Sequence, residues 1–281
     1  ATDYLVAIGQ WKLFTGTSQT YWTEQAKLTA SNAGSDDLFG LGVSISSDYA
    51  IVGAPNEDTG GSNSGSAYIF HKSGGTWTQQ AILTGNDTGS SDEFGTCVGI
   101  KGDYAVVAAR GNNSYAGAAY VFVRSGTNWT QQQKLTTSDA AGSDKLATCS
   151  IDGDYIILGA WGAPGGAHTG AVYIFKRSGT SWSQQQKITA SNAGSNDQFG
   201  HSVGISGDYA IVGAPYEDSG ADNGGSAYIY KRNTSTGVWG SEQHITASNA
   251  GGNDYFGWSV SISGDYAIVG ANGENSASGS V

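Results

Sequence analysis

The sequence predicts an all-β protein, a β-propeller built from four-stranded blades. A unit of about 50 residues recurs along the 281-residue chain, and each unit contains four short segments with the pattern of a strand. No segment has a convincing helical period. Glycine accounts for 44 residues and proline for only 3, which favours short strands joined by tight turns.

Each unit is marked by the tripeptide Gly-Asp-Tyr or a close variant. Copies stand at 47–49, 102–104, 153–155, 207–209 and 264–266, with a partial copy at Asp3-Tyr4. The tripeptide is predicted to turn a strand that begins with Phe-Gly into a strand of the type Tyr-Ala-Ile-Val-Gly-Ala. A third strand of the type Gly-Ser-Ala-Tyr-Ile-Phe and a more polar fourth strand follow. Four strands in each repeated unit are typical of a propeller blade.

The repeats predict a single domain spanning residues 1–281. Its units lie at about 1–30, 31–84, 85–137, 138–189, 190–247 and 248–281. First strands begin near five residues, which favours five blades: Phe39, Phe94, Leu146, Phe199 and Phe256. The first unit lacks a first strand and the last unit lacks a fourth. We therefore expect the N- and C-terminal strands to pair and close the ring, whereas an incomplete chain would belong to a ring of six or seven blades.

The first strand of each unit is expected to have one bulky and one small face. Side chains alternate along a strand, so Phe256 and Trp258 would share one face, opposite Gly257. Bulky faces packed on small faces would let neighbouring blades approach closely. The tyrosine of each Gly-Asp-Tyr turn is expected to pack between blades, as is the tryptophan of each fourth strand: Trp22, Trp77, Trp129, Trp182 and Trp239.

Charge and composition narrow the classes of partner. The chain has 13 Lys and Arg against 24 Asp and Glu, a net charge of −11, which would repel nucleic acid. No apolar run approaches the roughly 18 residues of a membrane span, so membrane insertion is not expected. The composition fits a secreted or cell-surface protein. Four sequons are candidate glycosylation sites: Asn86, Asn112, Asn128 and Asn233.

A Phe-Gly pair followed by Gly-Ala-Pro in the next strand gives the units a family resemblance. Phe39-Gly40 precedes Gly53-Ala54-Pro55, and Phe199-Gly200 precedes Gly213-Ala214-Pro215. These residues resemble the FG-GAP repeat of integrin α-subunit propellers and of their bacterial and protist relatives. The resemblance covers essentially the whole chain and implies an extracellular propeller used in adhesion or ligand binding. Some fungal lectins are built similarly, which implies carbohydrate binding as one option.

The calcium sites of that family cannot be carried over to this chain. Members that bind calcium have a D-x-D-x-D-G-like loop between the first two strands, whereas here the link is only Ser-Gly-Asp. That link is too short to wrap an ion that needs about six to eight oxygen ligands. The third unit also departs from the pattern, because Leu146-Ala147 replaces Phe-Gly.

A second oxygen-rich loop precedes each first strand and ends in an aspartate. These aspartates could contribute to calcium sites, but a role in holding the backbone of the loop is the favoured interpretation. We therefore expect no cofactor, with calcium as the alternative. The residues concerned are Asp37, Asp92, Asp144, Asp197 and Asp254.

Ligand specificity is expected in the loop between the second and third strands. This loop differs most among the units, and its copies should all emerge on one rim because they share a position in the repeat. A solvated loop held by Asx turns is the alternative interpretation. The candidate ligand-binding residues are Glu57, Asp58, Arg110, Tyr115, Trp161, His168, Tyr216, Glu217 and Asp218.

The two cysteines, Cys97 and Cys149, occupy equivalent places in consecutive units. Equivalent faces of stacked sheets lie about 10 Å apart. A disulfide requires Cα atoms within about 7 Å. The sequence therefore predicts two free, buried thiols.

The sequence gives little support to an enzyme. Its four histidines are scattered over different strand positions, and it has no HExxH motif, nucleophile elbow or P-loop. We expect a secreted, non-enzymatic propeller that binds an extracellular protein or glycan. One alternative is a lectin whose repeated weak sites gain avidity through multivalency. The other is a structural subunit of an extracellular filament or matrix that self-associates through its terminal strands.

Overall fold

The computed structural model describes residues 5–12 and 20–273, with side chains from residue 23 onward. Within these ranges the chain forms twenty β-strands and one short helical turn, α1 (Asn112–Tyr115), which confirms the predicted all-β class. No helix in this part of the chain is long and apolar enough to cross a membrane.

The strands pair in chain order into antiparallel sheets. The first sheet has two strands, β1 (Leu5–Lys12) and β2 (Thr20–Leu28). Four sheets of four strands follow, and we call them the first to fourth blades. The first blade comprises β3 (Val43–Ser46), β4 (Tyr49–Ala54), β5 (Ser66–Ser73) and β6 (Thr76–Leu83), and the second comprises β7 (Phe94–Lys101), β8 (Tyr104–Ala109), β9 (Ala118–Ser125) and β10 (Asn128–Leu135). The third blade comprises β11 (Leu146–Asp152), β12 (Tyr155–Ala160), β13 (Ala171–Ser178) and β14 (Ser181–Ile188). The fourth comprises β15 (Ser202–Ser206), β16 (Tyr209–Ala214), β17 (Ser226–Arg232) and β18 (Trp239–Ile245).

The last sheet, β19 (Phe256–Ser263) and β20 (Tyr266–Ala271), supplies the first two strands of a fifth blade. By position in the repeat, β1 and β2 are a third and a fourth strand. Four complete blades and these two half-blades make up the five-bladed propeller that the sequence predicts. The predicted pairing that would join the half-blades involves residues 279–281, which lie outside the described residues.

Small faces pack on bulky faces between neighbouring blades, as predicted. In the first blade, Ser44 Oγ accepts a hydrogen bond from the backbone N–H of Ile100 in the second blade, at 3.2 Å. A Cβ placed on Gly99 would lie 3.2 Å from the Ile151 side chain of the third blade. Apolar side chains therefore form separate layers between successive blades, and these layers are the core of the protein.

Aromatic side chains join the outer parts of the blades. Tyr104 of the second blade packs edge-on against Trp182 of the third, with ring centroids 6.0 Å apart. Arg177 lies 4.4 Å above the same Tyr104 ring and forms an ion pair with the turn residue Asp154. The same Tyr–Trp pairing occurs for Tyr49 with Trp129 and for Tyr155 with Trp239. These contacts confirm the predicted packing role of the three pairs. The prediction is wrong for Tyr266 of the last turn, which is 83% exposed, and the side chain of Trp22 lies outside the described residues.

One prediction about the first strand is wrong. In the fifth blade Phe256 pairs with Ala271 and the next pair is Ser259 with Gly270, so Gly257 and Trp258 form a bulge. Gly257 has φ +93°, a region that glycine adopts without strain. The bulge interrupts the alternation of faces. Trp258 therefore leaves the bulky packing face and is 36% exposed.

Both cysteines are free, as predicted, but the predicted reason is wrong. The Sγ atoms of Cys97 and Cys149 lie 2.8 Å apart, because the inner strands of the second and third blades converge more closely than stacked flat sheets. Cys149 is buried and Cys97 is half-buried. Burial raises the pKa of the Cys149 thiol, whereas the hydrogen bond from Cys149 lowers the pKa of Cys97.

Candidate functional site

Loops of neighbouring blades pair with each other at one end of the sheets. The backbone N–H of Lys145, just before the third blade, donates to the Tyr115 carbonyl oxygen of the second blade at 2.7 Å. Gln198 donates to the His168 carbonyl in the same way, at 2.8 Å, at the next junction. We call this end of the propeller the loop face. It carries the loop between the second and third strands of each blade, where the sequence predicts ligand binding.

The aspartates of the loops that precede the first strands hold the backbone. Asp144 stands between two residues of positive φ, Ser143 and Lys145, and accepts hydrogen bonds from the N–H groups of Ala141 (2.8 Å) and Gly165 (2.6 Å). The four equivalent aspartates each accept a hydrogen bond from the backbone N–H of the residue three positions earlier: Asp37, Asp92, Asp197 and Asp254. Within the described ranges, no group of three or more His, Cys, Asp or Glu residues could hold a metal ion.

Two of the predicted ligand-binding residues, Glu57 and Glu217, lie inside their own loops. Each is 4% exposed. The Glu217 carboxylate accepts hydrogen bonds from Ser226 Oγ at 2.6 Å, from Asn192 Nδ2 at 2.8 Å and from the hydroxyl of Ser219. Glu57 accepts the equivalent bonds from Ser66, Asn32 and Thr59. These carboxylates serve the loop rather than the solvent-facing surface.

The neighbouring acids Asp58 and Asp218 also serve their own loops. Asp58 Oδ1 accepts the backbone N–H of Asn63 at 2.7 Å, and Asp218 Oδ1 accepts that of Asn223 at 2.8 Å. Both bonds span five residues and close a turn of the loop. Unlike the two glutamates, Asp58 and Asp218 face solvent on one side of the turn, so their predicted contact with a ligand stays a prediction.

Three of the other predicted residues converge between the second and third blades. Arg110, Tyr115 and Trp161 line a cavity of about 330 Å³ together with Ser143 and Lys145, and we call it the basic pocket. The ammonium of Lys145 lies 4.1 Å from the centre of the Trp161 ring. Tyr115 belongs to α1, where Asn113 and Ser114 have left-handed backbone angles. Such angles are costly for residues other than glycine, and they cluster at functional sites.

A row of aromatic side chains extends from this pocket across the loop face. The Trp161 ring lies 5.5 Å from His168 and 6.3 Å from His201, and His201 lies 4.7 Å from Trp258. Trp258 in turn contacts Tyr216 and Tyr255, which are 5.2 Å apart. We call the set the aromatic row: Trp161, His168, His201, Tyr216, Tyr255 and Trp258. It spans the third, fourth and fifth blades.

Burial keeps two side chains of the aromatic row, His201 and Tyr216, uncharged near neutral pH. Burial lowers the pKa of His201, so its imidazole is neutral at pH 7. Its Nδ1 lies 3.3 Å from the Trp258 carbonyl oxygen. Burial also raises the pKa of Tyr216, which keeps its hydroxyl protonated. These two side chains therefore contribute neutral polar groups to the row.

Sequence reasoning missed several residues of this surface. They flank the Phe-Gly pair, or its Leu-Ala variant, on either side, and the bulge at this pair turns them onto the loop face. A usable signal existed, because these flanking positions differ between units as much as the predicted loop does. The residues missed are Lys145, His201, Tyr255 and Trp258.

The predicted glycosylation sites differ in their exposure. Asn86, Asn128 and Asn233 are exposed. Asn112 is buried, and its Nδ2 donates to Asp92 Oδ2 at 2.9 Å. A glycan on Asn112 would break this bond, so three of the four sequons are accessible in the folded chain.

A larger groove opens at the opposite end of the sheets. It has a volume of about 870 Å³ and is lined by the turn at 233–236 with Asp208, Lys231 and Arg232. Its lining contains no aromatic side chain. Arg232 forms an ion pair with Asp208 and lies 4.7 Å above the Tyr155 ring. The cations of this groove are thus used in packing, and the loop face is the better candidate site.

Comparison with known families bears directly on the repeats. The model of the FG-GAP repeat matches residues 22–70, 77–122, 129–175, 182–230 and 239–281. The chain belongs to the FG-GAP repeat family. The first four matches begin at the tryptophan of a fourth strand and end in the third strand of the next blade, so each FG-GAP match spans a junction between blades. A search of curated proteins found no match.

A solved structure described as "Structure of YjhT" is similar in fold. The TM-score is 0.52 with 15% sequence identity, and the alignment covers 96% of this FG-GAP chain and 86% of that chain. At this identity the likeness concerns the fold alone. Together with the repeat matches it supports the propeller, a fold that suits ligand binding or a structural role.

Proposed function

We propose that this FG-GAP propeller is a secreted, non-enzymatic protein that binds extracellular ligands through its loop face, and that the ligands are carbohydrates. The aromatic row carries this proposal. Sugar rings have apolar faces that pack on aromatic rings and hydroxyls that require polar neighbours. The row offers both over three consecutive blades, and the rings of Tyr216 and Tyr255, which carry hydroxyl groups, contact the Trp258 ring.

Non-enzymatic binding is supported by how the acidic residues are used. Hydrolysis of a glycosidic bond requires a pair of carboxyl groups placed on either side of it. Glu57 and Glu217 are buried and hydrogen-bonded within their own loops, and Asp58 and Asp218 each close a turn. No carboxyl group lines the basic pocket. The extracellular location is supported by the composition and by three exposed sequons.

A glycan array tests this function most directly. We expect the purified protein to bind a subset of glycans equally in calcium and in chelator. Trp258→Ala should weaken that binding about tenfold, which corresponds to about 1.4 kcal/mol. The control is Val238→Ala, because Val238 is an exposed apolar residue that lines the groove at the opposite end of the sheets. Absence of binding to any glycan would contradict the carbohydrate proposal and leave a protein ligand.

Self-association is a second candidate, favoured by two exposed apolar faces. Val43 and Ile45 on β3 are 51% and 65% exposed, whereas their equivalents in the second blade, Val98 and Ile100, are 5% and 4% exposed. On β20, Tyr266 and Ile268 are likewise exposed. At every complete junction a bulky face of one blade covers the neighbouring blade. A second copy of the chain would therefore supply the matching surface to each exposed face.

Sedimentation velocity over a range of protein concentrations tests this second candidate. We expect the unmodified chain to associate, and Ile45→Asp to remain monomeric, because a charge on this face cannot be desolvated without a partner. Val238→Asp is the control, since Val238 is exposed elsewhere in the fourth blade. A monomer at all concentrations would overturn the structural role.

A further inference from the structure

The basic pocket has a charge opposite to that of the chain as a whole. The chain carries a net charge of −11, yet Arg110 and Lys145 line one cavity on the loop face. Burial and the positive charge of Arg110 both lower the pKa of Lys145, so the two cations are close enough to interact. A bound anion would relieve this repulsion.

Lys145 is free to bind an anion. Among the residues that the structure describes, it has no carboxylate partner, and its ammonium lies over the Trp161 ring. Other cations of the chain are neutralised, for example Lys134 by Asp87 at 2.6 Å and Lys187 by Asp139 at 2.5 Å. The Lys145 ammonium has three N–H donors, and a carboxylate can accept hydrogen bonds from them.

An ion pair holds Arg110 in place and leaves some of its N–H groups available to a ligand. Its Nε and Nη2 both bind Glu93 Oε2, at 2.7 and 2.5 Å. The guanidinium has five N–H donors in a fixed plane, so this ion pair orients the group and leaves Nη1 for a ligand. Since Glu93 neutralises one charge, the pocket retains the charge of about one cation, which suits a monoanion.

We propose that the basic pocket selects an acidic sugar, with the carboxylate of a uronic acid unit bound between Arg110 and Lys145 and its ring packed against Trp161 and Tyr115. This inference rests on the proposed carbohydrate function and adds the charge class of the ligand. A volume of about 330 Å³ is at the lower end for ligand pockets, about 300–1,000 Å³, and suits a short sugar segment. The aromatic walls favour a ring that carries the charge over a bare inorganic anion.

The test compares acidic oligosaccharides with their own neutral methyl esters. The probes are oligogalacturonate, alginate oligomers and hyaluronan oligomers, each with and without esterified carboxyl groups, titrated calorimetrically against the full chain. We expect at least one acid to bind about tenfold more tightly than its ester, a difference of about 1.4 kcal/mol. Added salt should weaken binding of the acid more than binding of the ester, because salt screens the charge.

Variants locate the effect in the pocket. Lys145→Gln should abolish the preference for the acid, so that the variant binds each acid and its ester with about the same affinity. Lys176→Gln is the matched control, because Lys176 is an exposed lysine that lies 5.8 Å over the Tyr155 ring, outside the pocket. It should change neither affinity. Circular dichroism of each variant verifies that the fold is retained.

The outcomes separate this inference from the proposed function. Equal binding of every acid and its ester, or loss of preference in Lys176→Gln alone, would overturn the acidic-sugar inference and leave carbohydrate binding intact. If neutral glycans bind on the array but no acidic oligosaccharide binds in the calorimetric titration, the acidic-sugar inference is likewise overturned and carbohydrate binding stands. If no glycan binds, acidic or neutral, both the acidic-sugar inference and the proposed carbohydrate function are overturned.

Discussion

Gly213→Ala is expected to lower the free energy of unfolding by about 3 kcal/mol, because an added methyl group would push the fourth and fifth blades apart. Gly213 lies on β16, and a Cβ there would stand 2.9 Å from the Gly257 carbonyl carbon and closer still to its oxygen. The obstacle is backbone, which cannot rotate away as a side chain can. For a chain of this size the loss corresponds to a melting temperature lower by about 6–12 °C.

The same contact recurs at other junctions, which strengthens the expectation. Gly53 faces Gly95, and Gly159 faces Gly200, each with a comparable clash for an added Cβ. The exception supports the explanation. Ala108 takes this place in the second blade, and the next blade there begins with Leu146-Ala147, so its backbone lacks the positive φ of the Phe-Gly glycines.

Thermal and denaturant unfolding of the variant provide the measurement. Gly240→Ala is the matched control, because Gly240 also lies in a strand, β18, yet an added Cβ would meet nothing within 4 Å. It should be neutral or slightly stabilising. Equal stability of Gly213→Ala and the unmodified chain would show that the blades can separate without cost, contrary to the packing described above.

Glu217→Ala is expected to lower the free energy of unfolding by about 3 kcal/mol, because it removes a buried carboxylate that accepts hydrogen bonds from several donors of the loop. Ser226 is fully buried, so its hydroxyl would lose the carboxylate without gaining water and would retain only His244 Nε2, 2.8 Å away. Asn192 Nδ2 would lose the same partner, and this bond ties the loop before the fourth blade to the loop between its second and third strands. The loop should loosen along with the fold.

Stability and ligand binding, measured on the same variant, separate the two roles considered for Glu217. A structural role predicts a large loss of stability. The role predicted from the sequence, direct ligand contact, predicts weaker binding with unchanged stability. Asp222→Ala is the control, since Asp222 is an exposed acid of the same loop. Weaker binding by Glu217→Ala at full stability would restore the ligand assignment.

The repeat architecture was predictable from sequence because it depends on short-range patterns. Turn tripeptides, alternating strands and a regular period define four strands per unit, and each sheet of the structure falls within one predicted unit. The tyrosine–tryptophan packing was predictable for the same reason. The alternation of faces failed at Trp258, since the bulge at Phe-Gly depends on the approach of the neighbouring blade.

The candidate site was predicted only in part. Sequence variation between units pointed to Arg110, Tyr115 and Trp161, which the structure brings together in one pocket. It also pointed to Glu57 and Glu217, whose burial could not be read from the chain because their hydrogen-bond partners lie up to 25 residues away. Lys145 was overlooked, because it directly precedes the Leu146-Ala147 pair of a first strand, whereas the prediction considered only the loop between the second and third strands.

The sequence by itself determined the repeat, the number of strands per blade, the acidic charge and the family. The tertiary structure alone decided which side chains meet on the loop face, because that surface is assembled from loops of successive blades about 50 residues apart in the chain. It also decided that the Cys97 and Cys149 sulfur atoms touch. Distances between blades depend on how closely backbones can approach, and glycine at those contacts sets the limit.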